Sequence, residues 1–125
     1  MKPAPDPEAF LPLTHLSFQI LLALADQDRH GYGIIKEIAH RTEGRIRPGT
    51  GTLYTAIQRM LDEGTIRESP ARPAPEDDDE RRKYYGLTPV GREVARAEAL
   101  RLAGIVGVAS EKALVPEIIS RQAPK

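Results

Sequence analysis

The chain contains no cysteine, so disulfides and thiolate chemistry are excluded. Nor does it carry a net charge: 18 Lys and Arg stand against 18 Asp and Glu. Any electrostatic case for a partner must therefore rest on local distribution. Long apolar runs are missing as well, and the stretch 20–25 is far too short to span a bilayer. No secretory signal pattern is visible at the start. A soluble, cytoplasmic protein without a membrane partner is expected. A length of 125 residues allows a real core but is short for two domains, which predicts one domain plus an appendage.

The patterns that carry chemistry are equally scarce. His15, His30 and His40 show no paired metal spacing, and no helical His-Glu-x-x-His accompanies them. The acidic run 76–80 lacks the glycine at the sixth position and the spaced terminal glutamate of a calcium loop. Gly49 and Gly51 are a fragment of a phosphate loop, without a third glycine or a following Lys-Ser/Thr pair. No nucleophile and base are paired. The sequence thus predicts no catalytic residue, no metal and no cofactor, and reads His30 as a structural residue at a helix start.

What is present is organised around residues 45–66. Leu53, Ile57, Met60 and Leu61 recur at helical spacing, which leaves Thr52, Thr55, Gln58 and Arg59 on the opposite side. Thr50 or Thr52 can cap the helix start, and Gly64 suits the left-handed turn that ends it. Short polar side chains and an arginine on such a helix are the groups that reach base edges and phosphates in a major groove. Tyr54 borders the apolar face, where its hydroxyl could reach a phosphate.

Around this helix the rest of the chain falls into order. Residues 1–12, with four prolines, read as a flexible, extended arm. Thr14 caps a first helix to about residue 25, and His30 opens a second to about residue 42, ended by Gly44. Arg45, Ile46 and Arg47 alternate between Gly44 and Pro48, the pattern of a very short strand with both arginines outward. Residues 65–69 and 83–87 alternate and can pair as a hairpin. Residues 70–80, rich in proline and acid, form its mobile tip. Thr88 and Pro89 announce a helix with no stop signal before Pro116. At 1.5 Å per residue it would be roughly 40 Å long, longer than a small domain is wide. Residues 117–125 are left as a tail.

Helix, helix, short strand, helix and a two-stranded wing make a winged helix-turn-helix: mainly α, with a small β-hairpin wing and a long C-terminal helix. At residue level the chain resembles the PadR-like transcriptional regulators over about residues 13–95. The resemblance is carried by His30-Gly31-Tyr32, Gly51-Thr52-Leu53-Tyr54, Gly64-Thr65-Ile66 and the run from Asp79 through Arg81, Arg82 and Lys83 to Thr88. Thr65 departs from the family pattern, standing where an aliphatic residue is usual. The single long C-terminal helix looks like the short subgroup, which dimerises through that helix. The resemblance implies a homodimeric repressor that binds double-stranded DNA at a palindromic operator and can be relieved by a small aromatic or drug-like effector.

The expected division of labour follows. Thr52, Thr55, Gln58 and Arg59 read DNA from the third helix, Tyr54 contacts it from the border of the apolar face, and residues 13–87 form the DNA-binding domain. Arg45 and Arg47 before that helix, and Arg81, Arg82 and Lys83 on the wing, hold phosphates. Ala95, Ala99, Leu102, Val106, Ala109 and Ala113 repeat with alternating four and three spacing, the seam of a dimerisation helix over residues 88–116. The competing expectation is a winged helix that binds a protein rather than DNA, which the neutral net charge and acidic wing would suit.

Overall fold

The structure is a computed structural model that describes residues 5–70 and 82–116. Helix α1 spans His15–Leu24, and its start is fixed by Thr14, whose hydroxyl accepts the Ser17 amide at 3.1 Å. Helix α2 spans Gly31–Arg41 and is capped by His30, whose Nδ1 accepts the Gly33 amide at 3.0 Å. Helix α3 spans Thr50–Glu63 and stops at Gly64, where φ of 83° places the backbone in the left-handed region that glycine tolerates. Ile20, Leu21 and Leu24 of α1, Ile34 and Ile38 of α2, and Leu53, Ile57 and Met60 of α3 close one apolar core. The 3.6-residue period of each helix is what brings these positions to one side.

One part of the capping expectation fails. The N-cap of α3 is Gly49, with no side-chain cap bond, so neither Thr50 nor Thr52 is spent on capping.

The strand expected over residues 45–47 does not form. The third strand of the sheet is instead β1, Arg29–His30, and the sheet order is β1-β3-β2, with β2 at Ile66–Ser69 and β3 at Tyr84–Leu87. All pairings are antiparallel, Arg29 opposite Tyr85 and Ile66 opposite Leu87. Arg29 donates from Nε to the Ala23 carbonyl at 2.7 Å, which anchors β1 on the end of α1 beside the edge of β3. Ile46 does point inward, but a side chain holds it: the Thr42 hydroxyl accepts the Ile46 amide at 3.0 Å and donates to the Ile38 carbonyl at 2.8 Å. A central β3 also changes its burial, because both faces are covered and Tyr84 and Tyr85 are both buried.

Helix α4 spans Pro89–Glu111, roughly 35 Å of helix. Thr88 caps it by accepting the Gly91 amide at 2.9 Å, and its hydroxyl donates to the Gly64 carbonyl at 2.6 Å. One side chain therefore joins the end of α3 to the start of α4. A Cβ on Gly91 would lie 1.8 Å from the Thr65 carbonyl oxygen, so only glycine allows this crossing. Thr65 itself is buried, and its hydroxyl donates to the Met60 carbonyl at 3.3 Å. The helix ends before the expected Pro116: Ala113 adopts φ of 60°, and the Leu114 amide turns back to the Ala109 carbonyl at 2.9 Å.

The reading of residues 1–12 as an extended arm also needs correction over Pro7–Phe10, which form a 3-10 helix packed against α4. Asp6 caps this turn by accepting the Glu8 amide at 3.0 Å. Phe10, Leu11 and Leu13 are partly buried on the core, an apolar payload that outweighs the disruptive effect of the prolines.

Candidate nucleic-acid interface

Packing of α3 against α1 and α2 buries Leu53, Ala56, Ile57 and Met60 and leaves Thr52, Thr55 and Gln58 exposed. Gly51, Thr55, Gln58 and Asp62 follow one another at four, three and four residues, and so line one outward ridge. The Gln58 amide nitrogen donates to the Asp62 carboxylate at 3.1 Å, which fixes the orientation of the amide. Asp62 was not among the expected site residues; its i, i+4 spacing from Gln58 was the available signal.

Two of the expected DNA-contact residues stand to the sides of this ridge. Arg59 lies on the α1 flank, where its guanidinium donates to the Ser17 hydroxyl, which also receives the Thr14 hydroxyl at 2.9 Å. Tyr54 lies on the α2 flank and is 44% exposed. Its ring leans over the start of α2, where a Cβ on Gly31 would meet the Tyr54 hydroxyl at 2.1 Å. Glycine at that position is what lets the tyrosine wedge between the two helices.

Exposed cations precede α3 along the chain and line a crevice at its Tyr54. Arg45 and Arg47 are exposed in the loop that leads into α3, and Arg82 and Lys83 are exposed at the start of the β3 segment. Arg81 and the acidic run 76–80 lie outside the described residues. An open crevice of about 290 Å³ joins His30, Tyr32, Tyr54, Arg82, Lys83 and Tyr85. Lys36 adds a further charge, its ammonium 5.5 Å from the centre of the Tyr32 ring. Burial, and then the charges of Arg82 and Lys36, hold the His30 imidazole below its ordinary pKa. Lys36, and a place at the site for Tyr32, escaped the sequence reading because nothing local brings the second helix beside the wing; the pairing of β1 with β3 does that.

The expected dimerisation stripe is divided by its surroundings. Ala95, Leu102, Val106 and Ala109 are half-buried and Ala99 is exposed, while Ala113 sits in the turn beyond the helix. Larger apolar groups stand out to the side: Leu100 is 68%, Ile105 55% and Val108 50% exposed. On the inner side Glu98 is 2% exposed and accepts the Leu13 amide at 2.9 Å. Arg101 grips the same carboxylate with two bonds, at 2.5 and 3.1 Å. The Arg101 bonds, more than the Leu13 amide, hold the Glu98 carboxyl below its usual range against the opposing effect of burial.

Among the described residues no group of three or more His, Asp or Glu could hold a metal ion, and no helix is long and apolar enough to cross a membrane. A three-helix core with its third helix turned outward, followed by a wing, defines a winged helix-turn-helix protein. The chain belongs to the transcriptional regulator PadR-like family, whose family model matches residues 20–97. Members of this family are regulators and not enzymes.

Three relatives illustrate the range. An uncharacterized 37.1 kDa protein in transposon TN4556 of Streptomyces fradiae is 33% identical over 99 residues, covering 79% of this chain and 26% of the relative. The chain thus spans about a quarter of that protein's length. The crystal structure of a PadR family transcription regulator from hypervirulent Clostridium difficile R20291 is 26% identical, with a TM-score of 0.64 over 80% of this chain and 99% of the other. Bacillus subtilis PadR in complex with operator DNA is 20% identical, with a TM-score of 0.56 over 67% of this chain and 46% of the other. At that identity the likeness is one of fold.

Proposed function

We propose that this chain is a sequence-specific DNA-binding transcriptional regulator. The observation that carries the reading is the α3 ridge, whose Thr55 and Gln58 are exposed, on a helix preceded by the exposed Arg45 and Arg47 and bordered at Tyr54 by a crevice that Arg82 and Lys83 also line. A helix of this kind enters the major groove, where Thr52, Thr55 and Gln58 address base edges. Tyr54, Arg59, Arg45, Arg47, Arg82 and Lys83 address the phosphates that flank it, and Arg81 belongs to the same set by sequence. Assigning Arg59 to phosphate rather than base follows from its position on the α1 flank beside Ser17.

The proposal extends to a homodimer joined through α4, acting in the cytoplasm as a repressor on a palindromic operator. Support comes from the exposed apolar groups of the distal half of α4, since such groups at helical spacing gain most by facing a second helix. Two copies related by a two-fold axis would present two α3 ridges to two half-sites. Relief of repression by a small aromatic or drug-like effector is supported by family likeness alone.

The test is a binding titration at several salt concentrations against genome-selected fragments and random duplex, for wild type, Gln58→Ala and Arg82→Ala. Gln58→Ala should lose about 1 to 3 kcal/mol on selected fragments and relax one base position. Arg82→Ala should weaken all duplexes and lower the salt slope by about one. The balanced charge of the whole chain favours one other reading, a winged helix that binds a protein. Absence of salt-sensitive duplex binding by wild type would select it.

A further inference from the structure

Ser17 is buried near the start of α1, yet its hydroxyl holds an exposed cation from another helix, Arg59 of α3. The arrangement grows out of the helix cap. Thr14 is the N-cap and Ser17 stands three residues on, so the Thr14 hydroxyl accepts the Ser17 amide at 3.1 Å. A glutamate or glutamine in place of Ser17 would turn its side chain back to the N-cap amide. Serine is too short for that. Its Oγ instead accepts the Thr14 hydroxyl at 2.9 Å and, because a guanidinium can only donate, accepts Nη2 of Arg59 as well.

The cap itself is anchored. Leu13, one residue before Thr14, gives its amide to the buried Glu98 carboxylate of α4 at 2.9 Å. Thr14, Ser17 and Arg59 then line one open groove of about 440 Å³ together with Glu63, one turn further along α3. Among the described residues no carboxylate pairs with Arg59, Glu63 included, and its Nε and Nη1 make no hydrogen bond. The charge and most of the donor fork are thus left for a partner from outside. What the hydroxyl supplies is orientation: an arginine carries large rotamer entropy, and ordering it in advance lowers the cost that binding must still meet.

We propose that Ser17, with its hydroxyl set by Thr14, is a positioning residue for DNA binding: it holds the Arg59 guanidinium of the free protein in the orientation that meets a backbone phosphate beside α3. The inference rests on the duplex-binding reading above, in which Arg59 addresses phosphate. Ser17 itself touches no DNA. Because the serine is neutral and Arg59 keeps its charge without it, losing the hydroxyl weakens binding without changing the number of counterions released. That separates Ser17 from Arg59 in a salt titration.

The experiment is a double-mutant cycle on random duplex at several salt concentrations, with wild type, Ser17→Ala, Arg59→Ala and the double variant, and thermal melting of each. Ser17→Ala keeps the Thr14 cap on the backbone amide and leaves no buried group unpaired, since Thr14 and Arg59 are exposed and can turn to water. Expected for Ser17→Ala is a melting temperature near wild type, affinity about threefold to tenfold lower and an unchanged salt slope. Arg59→Ala should lower the slope by about one, and adding Ser17→Ala to it should change nothing further. A serine that only supports the fold would weaken binding equally in both backgrounds, which would overturn the proposal. Wild-type affinity in Ser17→Ala would do the same, as would tighter binding, which would make the hydroxyl a brake that draws Arg59 away from DNA.

A second measurement needs no DNA. Nitrogen-15 relaxation of the Arg59 Nε–H group should report an ordered side chain in free wild type and a mobile one in Ser17→Ala. Equal order in the two proteins would refute the hold. Wild type that fails to bind duplex at all would bring down the DNA-binding reading and this inference with it. Normal duplex binding by wild type and Ser17→Ala alike would bring down the inference alone.

Discussion

The junction behind the wing and the ridge in front of it are built from similar residue types under opposite constraints. At the junction Thr65, Thr88, Gly91 and Glu98 are held by their neighbours: Thr65 by Met60, Thr88 by Gly64, Gly91 against the Thr65 carbonyl, Glu98 by Leu13 and by Arg101 one turn along the same helix. On the ridge Thr52, Thr55 and Gln58 face outward. A threonine at position 65 closes a helix end, and one at position 55 is available to a ligand. Residue type does not distinguish these uses; burial and partners do. Changes at the junction should therefore be felt as stability, and changes on the ridge as recognition.

The largest break in this comparison is Gly91→Ala. Its new Cβ would sit 1.8 Å from a backbone oxygen, which no side-chain rotation relieves. A loss of about 3 kcal/mol or more is expected, read by chemical denaturation. A variant as stable as wild type would show that α4 does not cross Thr65 so closely.

Next comes Glu98→Gln, expected to cost about 2 kcal/mol, because the amide keeps one acceptor but loses the charge that holds Arg101 and the Leu13 amide. The sign of its pH dependence follows from the direction of the shift. The folded carboxyl lies below its ordinary value of 4.5, so the stabilisation is present above that pH and is lost as pH falls through the lower folded value. The melting temperature of wild type should drop more steeply than that of Glu98→Gln on acidification below about pH 5. Parallel curves for the two proteins would contradict this.

A smaller effect is expected at the sheet. A Cβ on Gly86 would meet the Asp28 carboxylate at 2.5 Å, and that carboxylate also receives the Ser69 hydroxyl. Since the obstacle is a side chain that can move, Gly86→Ala should cost only about 1 to 2 kcal/mol. Double replacement of Leu102 and Val106 by Glu should leave the monomer fold intact and abolish the proposed dimer, as sedimentation would read. A dimer that persists would move the interface elsewhere on α4. Smallest of all in stability is Thr55→Ala, expected within about 0.5 kcal/mol of wild type but weaker on selected DNA.

Those expectations rank residues in a way the sequence alone did not. Helix starts were legible where a side chain caps its own helix, as Thr14 and Thr88 do, and the end of α3 was legible at Gly64, because these signals act within a few residues. The apolar period of α3 likewise revealed which side turns outward. The strand expected at residues 45–47 was misplaced because three alternating residues say nothing about a partner strand. The partner of β3 is the two-residue β1, too short to show a period. Arg59 was grouped with Gln58 by helical spacing, whereas its partner Ser17 lies on another helix.

The sequence by itself thus determined the four α-helices, the caps at Thr14 and Thr88, the stop at Gly64, the outward ridge of α3 and the family, since all are written in short-range spacing. Only the tertiary structure decided that His30 stands beside Arg82, that Tyr54 wedges over Gly31, that Glu98 receives the N-terminal segment and that Gly91 must lack a side chain. Each of these joins residues far apart along the chain. Their meeting depends on how helices cross and which strands pair, and no local pattern of residues encodes that geometry.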